Sequence, residues 1–180
     1  MKTEQFTLST TKRWLRLATA AVALSLLVLM GFVTTANAQG AEQVSGMGFF
    51  DAAGDCDDPV TGPIGQAPDF ALVLTGDLEG CLYIFVESGD CTPSGVYHET
   101  GTEIYVGNGD PGNAGSFSTT YQFTAKYEDC PNFIGQINGR CQHPIVANSG
   151  TEDYEGVTGR LDFKDDVDAG NVHYKGHLKW

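Results

Sequence analysis

From Val157 to the C-terminus, apolar and polar residues alternate with a period of two. Val157, Gly159, Leu161 and Phe163 share one side of a strand, opposite Thr158, Arg160, Asp162 and Lys164. After the Asp/Gly/Asn-rich stretch KDDVDAGN the pattern resumes, with Tyr174, Gly176, Leu178 and Trp180 opposed to His173, Lys175, His177 and Lys179. Two such runs on either side of a short turn predict an antiparallel hairpin with one face buried.

The same alternation recurs upstream. Ser116 to Tyr127 places Phe117, Thr119, Tyr121, Phe123, Ala125 and Tyr127 on one face and Ser118, Thr120, Gln122, Thr124 and Lys126 on the other. Val96 to Val106 predicts a strand that bends at Gly101, with Tyr97, Glu99, Gly101, Glu103 and Tyr105 on a common face. The runs at 69–75 (DFALVLT) and 81–86 (CLYIFV) are apolar on both faces. A closed barrel would bury one face of each, and a packed loop or a partner subunit would have to cover the other. A short strand or edge segment is expected around Met47–Phe50, followed by an irregular Asp-, Gly- and Pro-rich loop to residue 68. Glu87–Asp90 and Thr92–Gly95 read as a longer connection, and Cys130 to Cys141 as a hairpin-like excursion. Beyond the leader, no segment shows a capped 3.6-residue period. About eight short strands separated by Gly/Asp/Asn/Pro turns therefore predict an all-β barrel or sandwich.

The first 38 residues stand apart. Lys12, Arg13 and Arg16 precede an apolar run from Leu17 to Phe32, and Ala36-Asn37-Ala38 offers small residues where a signal peptidase reads. The expectation is a signal peptide at 1–38, an irregular segment at 39–68 and a barrel domain at 69–180. Secretion, extracellular or periplasmic, follows from the leader. Without it the chain carries six Lys and Arg against 22 Asp and Glu, a net charge of −16. So acidic a surface excludes nucleic acid as a partner and disfavours membrane contact once the leader is gone, since phosphate binding needs Lys and Arg.

Chemical motifs are sparse. Asp55, Asp57 and Asp58 miss the EF-hand pattern, and a solvated acidic loop is the reading there. The Gly-rich stretch at 107–115 lacks the Lys of a phosphate loop, and no G-x-S-x-G run occurs. His173 and His177 lie too far apart along a strand to share a metal. No cofactor and no metal site is predicted.

Five cysteines in an exported chain predict disulfides with one thiol left over. If residues 130–141 reverse between Gly135 and Gln136, Cys130 falls opposite Cys141, and that pair is the expected bond. Cys81–Cys141 is the rival pairing, and Cys56 is placed to reach either Cys81 or Cys91.

The closing region SGTEDYEGVTGRLDF resembles that of the allene oxide cyclase and dirigent-like β-barrels, which use a G-x-x-x-[FY]-x-G-x-x-G run here. Gly150, Tyr154, Gly156 and Gly159 match it, and GSFSTTYQFTAKY is similar to a long barrel strand of that superfamily. The resemblance spans 69–180. It implies a single antiparallel barrel enclosing an apolar pocket, which some members use for isomerisation or for guiding radical coupling. No catalytic motif of those enzymes matches residue by residue, so none is carried over.

Candidate site residues follow from the strand faces. Glu99 and Glu103 point the same way, roughly 13 Å apart at the usual rise per residue, too far for a glycosidase pair acting on one bond. If their face is lumenal the carboxylates need partners, and Arg140 and His143 are the basic candidates; an outer charged face is the plainer alternative. Phe117, Tyr121 and Phe123 would supply aromatic walls. The leading reading is therefore a secreted barrel holding a small apolar ligand against Glu99, Glu103, Phe117, Tyr121, Phe123, Arg140 and His143. No reaction is defined. The alternatives are a cyclase- or isomerase-like enzyme using Glu99 or Glu103, and a structural or interaction module associating through the outer faces of 70–86. Homo-oligomerisation is left open.

Overall fold

The computed structural model of the protein describes residues 40–180; the expected signal peptide lies outside them. Eight strands follow in order: β1 (Glu42–Phe50), β2 (Phe70–Gly76), β3 (Gly80–Cys91), β4 (Val96–Gly107), β5 (Ser116–Asp129), β6 (Ile134–Pro144), β7 (Thr158–Asp166) and β8 (Asn171–Lys179). Each pairs antiparallel with the next, and β1 also pairs with β8, so the sheet closes into a barrel with no free edge. The only other regular element among the described residues is a 3₁₀ turn at Glu152–Tyr154. No helix there is long and apolar enough to cross a membrane.

Alternation decides what fills the barrel. Phe117, Thr119, Tyr121, Ala125 and Tyr127 on β5 are buried, as are Leu161 and Phe163 on β7 and Val172, Tyr174 and Leu178 on β8. The predicted closing hairpin is present in register, with Leu161 opposite Gly176 and Phe163 opposite Tyr174. The first pair sets a small residue against a large one, and the second packs two rings with centroids 5.5 Å apart.

The barrel begins earlier than expected. Glu42–Phe50 is a full strand rather than a short edge segment, and it seals the seam between β2 and β8 through pairs such as Phe49–Val73 and Ser45–Lys175. Its Gly-interrupted sequence hides the alternation, because Gly46 and Gly48 sit where Tyr174, Val172 and Leu74 fill the interior. The connection expected over 87–95 is shorter as well. β3 continues through Glu87–Asp90 past a bulge at Val86/Ser88, and only residues 92–95 turn.

The apolar outer face of β3 is covered from within the chain. Tyr83 and Phe85, opposite in direction to Leu82 and Ile84, are both almost fully buried. The β1–β2 loop lies over them: Gly62 has no room for a Cβ because the Phe85 ring and Gln66 occupy that space. Asp51 organises the start of this loop by accepting the backbone N–H groups of Gly54, Asp55 and Cys56, and these bonds hold its carboxyl below the usual range. Asp69 closes the loop by accepting from the Val86 N–H at 2.7 Å. Asp55, Asp57 and Asp58 face solvent, so the loop is acidic outside and packed beneath.

The disulfides differ from the expected pair. Cys56–Cys81 pins the β1–β2 loop to the outside of β3, and Cys91–Cys130 ties the end of β3 to the residue following β5. Cys141 is free and buried. The error lies in the register of the 130–141 excursion. β5 and β6 reverse at residues 130–133, not at Gly135-Gln136, so Asp129 faces Ile134 and Cys141 faces Phe123 deep in the sheet. A second bulge, at Lys126/Tyr127, shifts the pairing further.

The two barrel ends are built differently. At one end the β6–β7 segment folds inward and delivers Tyr154 and Val157 beside Tyr105, Phe117, Leu78 and Leu178, closing the lumen. Gly150 permits this fold: a Cβ there would strike the Tyr154 carbonyl oxygen. At the other end, the turns β3–β4, β5–β6 and β7–β8 surround an opening.

Candidate functional site

That opening leads into a cavity of about 500 Å³, within the range that holds a small organic ligand. Its walls are mainly aromatic and aliphatic, with Tyr97, Tyr121, Phe123, Tyr127 and Phe163 around the shaft and Phe50, Phe70, Phe133 and Val167 at the rim. Phe50 and Phe133 are more than half exposed, so the mouth itself is apolar.

Polar side chains interrupt these walls, and strand alternation places Glu99, Glu103, His143 and Asp165 among them. Glu99 and Glu103 share the inward face of β4. Glu99 is held by two phenols: the Tyr97 hydroxyl donates to one carboxylate oxygen at 2.7 Å and the Tyr121 hydroxyl to the other at 2.8 Å. Burial raises both phenol pKa values well above the ordinary range, and the bond to Glu99 adds to the shift, so both stay protonated as donors.

Glu103 lies deeper and is 2% exposed. Its Oε2 accepts from the Thr119 hydroxyl at 2.5 Å and meets His143 Nδ1 at 2.5 Å. An ionised carboxylate only accepts, so Nδ1 carries the proton in this contact. The imidazole is stacked on Tyr121 and packed against Phe163, with ring centroids 6.0 and 4.3 Å away. Its Nε2 is buried and has no hydrogen-bond partner among the described residues, an uncommon state for a buried polar atom.

Asp165 is the next inward residue after Phe163 on β7. It accepts from the Gln136 side-chain amide, while burial raises its pKa and outweighs that bond. Cys141 also lines the cavity, and desolvation pushes its thiol far above the usual range, with the Glu103 and Glu99 charges adding to the effect. The thiolate is the reactive species, so native protein should resist iodoacetamide at pH 8, and denaturant should release one thiol at Cys141. Fast labelling of the folded state, read by peptide mass spectrometry, would contradict that burial.

Glu99, Glu103, Tyr121, Phe123 and His143 thus meet on one lumen. Phe117 and Arg140 do not. Phe117 is on the inward face but at the closed end, with its ring 4.9 Å from that of Tyr105 and 5.1 Å from that of Tyr154. Arg140 is exposed on the outer face, between Thr124 and Lys164 in the sheet. Residues 140 and 143 are three apart on one strand, so only one of them can point inward. Tyr97, Tyr127, Phe163, Asp165 and Cys141 are among the cavity residues without a sequence-based site assignment. Extending the β7 alternation one step past Phe163 reaches Asp165; nothing in the sequence indicates the depth of Cys141.

No family model, curated protein or solved structure matches this chain. The site must be read from its own chemistry. Among the described residues, no three His, Cys, Asp or Glu side chains gather as metal ligands. What the arrangement offers is an apolar shaft with hydrogen-bonded carboxylates at two depths and one unpaired imidazole nitrogen.

Proposed function

We propose that the protein is an exported carrier or sensor that binds a small, largely apolar molecule in the barrel lumen. The cavity of about 500 Å³, closed at one end and aromatic along its length, carries this reading. Small barrels can fill themselves with side chains; here Tyr105, Phe117 and Tyr154 fill one end and the other leads into the cavity. Gly101 and Gly139 stand on the inward faces of β4 and β6. Export fits the two disulfides, which persist in oxidising compartments, and the apolar leader. The outward face of β5, Ser118, Thr120, Gln122, Thr124 and Lys126, is polar rather than the apolar band of a membrane barrel. The likeness of the Gly150–Gly159 segment to the allene oxide cyclase and dirigent-like barrels supports the same reading, since those folds enclose an apolar pocket.

Fluorescence of N-phenyl-1-naphthylamine tests the proposal. The dye should brighten and shift to the blue on adding the protein, saturating at one dye per chain. Phe123→Trp, which narrows the shaft, should weaken binding about tenfold or more by overfilling it. No saturable signal would exclude a ligand-accessible lumen.

One observation favours an enzymatic second reading. Glu103 orients His143 through Nδ1 and leaves Nε2 unpaired, the arrangement of a carboxylate-supported general base. Such a base inside an apolar shaft suits proton transfer in an isomerisation. The β1–β2 loop covers the outer face of β3, which leaves less apolar surface there for an interaction module.

A further inference from the structure

The charge inside the lumen is unbalanced. Glu99, Glu103 and Asp165 all line the cavity, and Asp166 stands at its mouth. Among the described residues lining it there is no Lys or Arg; His143 is the only basic side chain. A protonated His143 would offset Glu103 alone and leave Glu99 and Asp165 uncompensated. Glu103 is buried and Glu99 and Asp165 are half-buried, and carboxylates withdrawn from water are costly unless paired with positive charge. The hydrogen bonds from Tyr97, Tyr121, Thr119 and Gln136 satisfy lone pairs but bring no formal charge.

The remaining wall is suited to a cation as well. Tyr97, Tyr121, Phe123, Tyr127 and Phe163 present π-systems around the shaft, and aromatic rings attract organic cations over their faces, most strongly where water is excluded. His143 supplies an independent indication. It is 4% exposed, lines the cavity and holds an unpartnered Nε2. With the Nδ1 proton directed to Glu103, the neutral ring presents Nε2 as an acceptor, which an N–H donor on a ligand would satisfy.

We infer that the lumenal ligand is an amphiphilic organic cation, an amine or ammonium group on an apolar body, with its charge held between Glu99, Glu103 and the aromatic shaft. This inference rests on the lumen-binding reading and specifies its ligand class. It also explains why an otherwise apolar cavity keeps carboxylates at two depths. A fatty acid or another anion would face repulsion from every ionised group but one.

Isothermal titration with three probes of equal chain length tests it: decylammonium, decan-1-ol and decanoate. The cation should bind at least about tenfold tighter than the alcohol, and decanoate should show no saturable heat. Glu99→Gln keeps one oxygen acceptor for the phenols and removes the charge, and should weaken the cation about fivefold or more and the alcohol by a clearly smaller factor. Asp57→Asn/Asp58→Asn on the exposed loop controls for general attraction to the acidic surface, and should change neither affinity by more than about twofold. Circular dichroism confirms that each variant is folded. Equal binding of alcohol and cation, or an unaffected Glu99→Gln, would overturn the cation assignment while sparing the lumen reading. If no probe binds, both fall together.

Discussion

Replacing Tyr154 by Ala should cost about 3–5 kcal/mol of folding stability, the range for truncating a large buried aromatic. Tyr154 is 2% exposed and plugs the closed end of the barrel. Its ring meets those of Tyr105 and Phe117 edge-on, with centroids 5.5 and 5.1 Å away. Its hydroxyl donates to Asn113 Oδ1 at 2.9 Å, the same oxygen that receives the Tyr105 hydroxyl and the Glu79 N–H at 3.2 Å each. One side chain therefore joins three connections at that end: the β2–β3 turn, the β4–β5 loop and the β6–β7 segment. Tyr154→Phe separates the two contributions. It keeps the ring packing and loses one hydrogen bond, so it should cost only about 0.5–1.5 kcal/mol. Urea unfolding with the disulfides intact measures both. A Tyr154→Ala loss below that of Tyr154→Phe would show that the plug does not hold the barrel end.

Removing the Cys91–Cys130 bond should be as damaging, at about 4 kcal/mol. The bond closes a loop spanning 39 residues, against 25 for Cys56–Cys81. Longer loops lose more chain entropy on unfolding when cross-linked, so the Cys91→Ser/Cys130→Ser variant should lie below Cys56→Ser/Cys81→Ser by a few tenths of a kcal/mol. The site is also well packed, since Cys130 is buried with Ala125 and Tyr127, and Cys91 and Tyr97 pack against them. Loosening it should free Tyr97, one of the two phenols on Glu99, so ligand binding should weaken along with stability. Non-reducing peptide mapping checks the connectivity beforehand. A peptide joining Cys141 to any other cysteine would refute the register of β5 and β6.

Much of the site was legible because its residues obey a period of two. Once β4 and β5 are recognised as strands, Tyr97, Glu99, Glu103, Tyr121 and Phe123 must share the interior or share the exterior. Glu103 also pairs directly with Thr119 across the two strands, which brings its carboxylate to a hydroxyl. Parity separates the two basic candidates on β6: Arg140 points outward, and of the two only His143 has the parity to meet Glu103.

The sequence by itself determined the all-β class, the closing hairpin, the inward faces of β5, β7 and β8 and the division of β4 into two faces, because side-chain direction along a strand is a local property. Only the tertiary structure decided that β1 closes the seam, which cysteines meet, and that Phe117 and Tyr121 belong to opposite ends of one lumen. Those outcomes depend on register, on bulges at Val86/Ser88 and Lys126/Tyr127, and on where a loop such as 51–69 settles. Each is fixed by packing between residues distant in the chain, where one inserted residue changes every later pairing. The unbalanced charge of the cavity belongs to the same category: a carboxylate on a strand face is ordinary until closure of the barrel removes the water around it.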